Sequence, residues 1–126
     1  MDVIAPHLSP DFDWYSLQFD ISEQDEKIVK QIKSLNHYGK TIGDFSETAA
    51  LCTFLDRVVS VDTSIAHLAG AIGCNVDLML SHSADARWHA TGNKSPWYSR
   101  MQIHRKNRGE EWGPFFKKVV ERIRQT

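Results

Sequence analysis

The sequence predicts an α/β domain on a mainly parallel sheet, and three observations carry that prediction. Arg57 to Val61 is short and rich in β-branched residues, as suits a strand buried on both faces. It runs directly into Asp62-Thr63-Ser64, residues whose side-chain oxygens cap helix starts. A helix follows with Ile65, Leu68, Ala69 and Ile72 on one stripe, closed by Gly73 at a C′-like position. Val76 to Leu80 is then a second buried strand, so strands and helices alternate at βαβ spacing.

The remaining elements fit the same scheme. Residues 1–12 hold Pro6 and Pro10 without periodicity and read as an irregular lead-in, leaving 13–126 as a single domain. Trp14 to Phe19 is a plausible first strand. Ser22 caps a helix to about Leu35, with Glu23, Asp25 and Glu26 complementing the dipole and Ile28, Val29, Ile32 and Leu35 as its apolar stripe. His37 to Ile42 is ambiguous, a short second strand interrupted by Gly39. Asp44-Phe45-Ser46-Glu47 has capping-box spacing and opens a helix through Leu55. Ser81 to Ser99 is a long polar and aromatic loop. Met101 to Arg105 is a last strand. Pro114, placed at N1, opens an amphipathic helix through about Arg124 with Phe115, Phe116, Val119, Val120 and Ile123 on one face. The sum is a Rossmann-like three-layer domain with four or five mainly parallel strands.

Composition narrows the function classes. The chain has 126 residues, 41% hydrophobic and 25% charged, with a net charge of −1. No long basic run is present, so the electrostatic footprint of a nucleic-acid binder is missing. No apolar run approaches the ~20 residues of a membrane span, and the N-terminus has no signal pattern. Cys52 and Cys74 read as reduced, packed thiols, and the expected location is cytoplasmic.

The junction at Asp62 is the candidate site. A strand feeding a helix aims unpaired N–H groups and a positive dipole end at the carboxyl edge of the sheet, where α/β proteins hold phosphates. His67 lies about 200° around a 3.6-residue helix from Ile65, off the apolar stripe and one turn beyond Thr63 and Ser64. An imidazole there can donate a hydrogen bond to an anion; a surface histidine above an ordinary cap is the plainer alternative. The loop after Leu80 adds Arg87, which could neutralise a phosphate, and Trp88 or Trp97, which could stack on a base. Trp97 and Tyr98 fit better as structural staples over the sheet end. His82 and His89 lack metal-ligand spacing, so no metal is expected. Asp62, Ser64 and His67 share the letters of a hydrolytic triad, but no G-x-S-x-G elbow accompanies them. Neither a P-loop nor G-x-G-x-x-G occurs.

The run Asp44 to Leu51, with Val58 to Gly73, resembles the C-terminal half of heptosyltransferase-like enzymes, glycosyltransferase family nine, in the branch linked to tetratricopeptide repeats. Asp85-Ala86-Arg87-Trp88, Ser95-Pro96-Trp97-Tyr98 and Met101 to Arg105 are similar to the same branch, so the likeness covers roughly Trp14 to the end. It implies the C-terminal, donor-binding half of a GT-B fold. By motif, the amides of Thr63, Ser64 and Ile65 would cradle the donor diphosphate and His67 would hydrogen-bond to it. Gly43 and Asp44 would line the base or ribose pocket, with Asp62, Arg87 and Trp88 as further pocket residues. The donor would be a nucleotide diphosphate-sugar, bound without a metal. The chain departs from the family pattern at Phe19-Asp20, where a basic residue is common, and at Cys74-Asn75, Ser81 and Ala86.

Nothing in the sequence resembles the acceptor domain that usually holds the catalytic base, so no catalytic residue is assigned. The expectation is a donor-binding half, not catalytically complete alone, which works with a separate acceptor domain or another copy of the chain. The alternatives are a non-catalytic nucleotide-binding module or a protein-interaction module of the same fold, the latter using Trp88, Trp97 and Trp112 in an interface.

Overall fold

The computed structural model describes residues 3–17, 22–32, 35–37, 45–81, 95 and 98–125. The chain is α/β with parallel sheets. Among the described residues, five strands fall into a two-stranded and a three-stranded sheet rather than the single sheet expected. Two compact units are distinguished: residues 1–44 with 111–126, and residues 45–110.

The first unit holds β1 (Trp14–Ser16), α1 (Glu23–Gln31), β2 (Leu35–His37) and the last helix of the chain, Trp112–Arg124. β1 and β2 pair in parallel, Trp14 opposite Leu35. Ser22 caps α1 as predicted, its Oγ accepting from the Asp25 amide at 3.1 Å. The helix stops at Gln31, shorter than its apolar stripe implied, because Ile32 turns extended (φ −102°, ψ 108°) and Leu35 goes to β2. The apolar residues of α1 are half-buried rather than buried. The lead-in is not wholly irregular: Ala5–His7 forms a 3-10 turn. Ser9 accepts from the Trp14 indole at 2.9 Å, and Trp14 packs on Phe12 and on Phe116 of the last helix.

That last helix begins at Trp112, two residues before the expected N1 proline. Pro114 costs nothing in the first turn, where amides have no intrahelical acceptor. The preceding Gly113 accepts the helical conformation that other residues resist before proline. A Cβ there would also stand 3.1 Å from the Val3 carbonyl. The predicted apolar face is borne out, with Phe115, Phe116, Val119, Val120 and Ile123 all buried.

The second unit carries α2 (Phe45–Thr53), β3 (Val58–Val61), α3 (Ser64–Ala71), β4 (Val76–Leu80) and β5 (Met101–Arg105); the last helix of the chain is then α4. The strands run parallel in the order β3-β4-β5, with Val58 opposite Val76 and Val76 opposite Met101. All five residues of β4 are buried, as expected for a central strand covered on both faces. Ala66 and Ala69 of α3 are buried. At the end of α3, Gly73 takes φ +86°, its amide bonds Gly70 O at 3.1 Å, and the Cys74 amide bonds Ala69 O at 3.0 Å. This is a Schellman closure at the predicted glycine. Cys52 and Cys74 are free thiols, with Cys74 Sγ 3.6 Å from the Cys52 carbonyl oxygen.

Candidate functional site

Because side chains alternate along parallel strands, register sorts the three-stranded sheet into two faces. Met101 reaches under α3, its terminal carbon 3.1 Å from where a Cβ on Gly70 would lie. Val58, Val76, Leu78 and Ile103 share the Met101 face by register. The opposite face holds a polar cluster. Asp77 of β4 accepts from Arg57 Nε at 2.7 Å, Arg57 Nη2 at 3.3 Å and His104 Nε2 at 2.8 Å. The Asp77 side chain is 2% exposed and that of His104 5%, whereas Arg57 is 31% exposed. Burial alone would push the Asp77 pKa up; hydrogen bonds from His104 and Arg57, with Arg57's charge, outweigh it and hold the carboxyl below its ordinary range. Asp77 and His104 are enclosed among the described residues, while Arg57 keeps part of its side chain at the surface. The cluster ties three strands together, and sequence reasoning missed it. The available signal was an aspartate inside an apolar strand, since a buried carboxylate demands partners.

The β3–α3 junction lies at the carboxyl ends of the strands. Val61, Asp62, Thr63 and Ser64 are all exposed. Thr63 is the N-cap, extended at φ −137° and ψ 171°, but its side chain makes no capping hydrogen bond, contrary to the expectation for this turn. The reason is local. Ser60 Oγ donates its proton to Val61 O at 2.8 Å, so in the 3.2 Å Ser60–Thr63 pair it is Thr63 that donates. The Thr63 hydroxyl is thereby turned to Ser60. Among the described residues, no group accepts from the amides of Ser64, Ile65 or Ala66; the first α3 amide to find an acceptor is that of His67, 3.4 Å from Thr63 O. A helix start with free N–H donors in water can receive an anion.

His67 stands one turn into the helix, half-buried rather than solvent-facing. Its Nε2 is 3.2 Å from Asp62 Oδ1 and its Nδ1 is 3.2 Å from the Tyr98 hydroxyl. The imidazole is therefore already engaged, and direct contact with an anion requires Nε2 to leave Asp62. Asp62 itself brings a carboxylate to the mouth of the site, so any anion there meets one opposing charge. Tyr98 is the residue whose link to this junction sequence reasoning did not see: expected as a staple, it also reaches His67. Gly43, Asp44, Arg87 and Trp88 lie outside the described residues, as do His82, His89 and Trp97. The described residues contain no group of three or more His, Cys, Asp or Glu side chains able to hold a metal ion, and no helix long and apolar enough to cross a membrane.

No family model matches the chain, and no curated protein or solved structure matches it.

Proposed function

We propose that the β3–α3 junction binds the diphosphate of a nucleotide sugar, and that the chain is the donor-binding half of a GT-B glycosyltransferase of the heptosyltransferase-like family. The observation that supports this most is the exposed, side-chain-uncapped start of α3 at the carboxyl ends of parallel strands. The amides of Ser64, Ile65 and Ala66 supply donors, and the helix dipole supplies a positive end that stabilises a leaving diphosphate without a metal. Thr63 adds a hydroxyl once it leaves Ser60, and His67 adds a ring nitrogen once it exchanges Asp62 for the ligand. The acceptor and the catalytic base belong to a second domain or polypeptide.

Ser64→Pro tests the assignment at the backbone. Proline is tolerated at the first helical position, and the extended Thr63 is the conformation a residue before proline prefers. The substitution deletes one amide donor and leaves α3 in place. Titration of the chain with UDP, ADP, GDP, CDP and their sugars, followed by NMR, should show one diphosphate bound at the junction. A hydrogen bond to a charged group contributes about 1.5–3 kcal/mol, so Ser64→Pro should weaken that binding roughly tenfold to a hundredfold. Silence across the panel, or an affinity indifferent to Ser64→Pro, rules the site out.

A second reading is a non-catalytic module of the same fold that binds a nucleotide or another protein. The prior engagement of both His67 ring nitrogens favours it. Diphosphate binding without sugar transfer, in the presence of an acceptor domain, would select it.

A further inference from the structure

We propose that Tyr98 is a positioning residue for His67 and that Gly70 is the seat that lets it act. An ideal Cβ on Gly70 would lie 2.7 Å from Tyr98 Cγ and 2.8 Å from Cδ2, so the phenol ring occupies the space a side chain would fill. Residue 70 is three positions after His67 and therefore neighbours it on one helix face. A ring seated on Gly70 delivers its hydroxyl to His67 Nδ1 at 3.2 Å, with the two rings edge-on at 68°. Tyr98 is itself fixed to the scaffold. Its amide donates to Ser95 Oγ at 3.1 Å, and its carbonyl accepts from Met101, the first residue of β5, at 3.2 Å.

The hydrogen-bond chain has a direction. Asp62, when ionised, only accepts, so the proton between it and His67 sits on Nε2. In a neutral imidazole Nδ1 then only accepts, and Tyr98 is its donor. Asp62 thus sets the tautomer that carries its N–H on Nε2, the nitrogen facing the helix start, and Tyr98 reinforces it by donating to Nδ1. The inference rests on the diphosphate-site reading above: a phosphate held by the Ser64–Ala66 amides would find that N–H already formed, needing only to replace Asp62 as acceptor.

Long-range proton–nitrogen NMR of the 15N-labelled chain reads the tautomer directly, with the His67 signals assigned by their loss in His67→Ala. The wild type should show the Nε2–H pattern. Tyr98→Phe keeps the ring on Gly70 and removes only the hydroxyl; it should give a mixed-tautomer pattern and bind UDP, or whichever diphosphate of the panel binds, roughly threefold to tenfold more weakly. Gly70→Ala displaces the ring while keeping the hydroxyl and should give the same mixed pattern. An unchanged Nε2–H pattern in Tyr98→Phe overturns the positioning role, whatever the affinities. A mixed pattern with no diphosphate bound by either chain leaves Tyr98 as the positioner of His67 and overturns the donor-site reading instead.

Discussion

Asp77→Asn should be among the most damaging isosteric changes in the second unit. The side chain keeps its volume, so no cavity forms and the cost is electrostatic. In the native sheet the carboxylate accepts two bonds from Arg57, at 2.7 and 3.3 Å, and one from His104 at 2.8 Å. An amide in its place offers one oxygen and turns an N–H₂ toward the remaining donor. If His104, 5% exposed, is the partner that loses its bond to residue 77, the penalty is about 1–3 kcal/mol. Arg57, 31% exposed, recovers part of its loss from water, so its share is nearer 1 kcal/mol. Together they predict a loss of about 3 kcal/mol, or roughly 10 °C in melting temperature for a chain of this size. Urea unfolding followed by circular dichroism measures it: the midpoint should fall at unchanged m. The control is Arg57→Met, Asp77→Leu and His104→Leu made together. Removing all three groups together strands none of them against another, so the triple variant should be less damaged than the single one. A single Asn variant with the wild-type midpoint refutes the reasoning, and a triple variant as damaged as the single one assigns the cost to packing instead.

The same carboxylate sets a pH dependence. Its folded-state pKa lies below the unfolded value, so its stabilisation is complete above about pH 4 and is lost as pH falls through the folded value; the gap in urea midpoint between wild type and Asp77→Asn should close over that acid range and stay constant above it. Gly73→Ala should cost about 1 kcal/mol by thermal melting, through backbone strain at φ +86°, since among the described residues nothing lies within 4 Å of the added Cβ. Among the two thiols, Cys52 is buried and burial pushes its pKa up, followed by the effect of neighbouring Cys74. Iodoacetamide labelling of the native chain, read by mass spectrometry, should therefore modify half-exposed Cys74 well before Cys52.

The features legible in the sequence were those that local chemistry decides. Ser22 caps because a hydroxyl placed before Glu23, Asp25 and Glu26 has an amide within reach. Gly73 closes α3 because a residue without Cβ takes positive φ at little cost. Errors came where a choice depended on partners distant in sequence. Leu35 continues the apolar stripe of α1 on a helical count, yet it pairs with Trp14 in a sheet, and period alone cannot separate a helix's last turn from a strand's first residue. The Asp77 cluster joins residues 20 and 27 positions apart, so only strand register reveals it. At the candidate site the sequence marked the amides of Thr63, Ser64 and Ile65 and the ring of His67. It could not show that the Thr63 hydroxyl turns to Ser60, nor that Tyr98, 31 residues on, holds the ring.

These two misses bear on the electrostatics of the junction. A helix start is attractive to anions because its N–H groups are unsatisfied and its dipole end is positive. Here the N-cap residue, Thr63, has its hydroxyl turned to Ser60 instead of capping them. The opposing charge of Asp62 is in turn met by His67, at 3.2 Å. Substituting Asp62→Asn removes that charge while preserving an acceptor for Nε2, so it separates two roles that the acid combines. If Asp62 chiefly repels the ligand, the change strengthens diphosphate binding. If it chiefly orients His67, the change leaves binding near the wild-type value, because the amide oxygen keeps the ring in place.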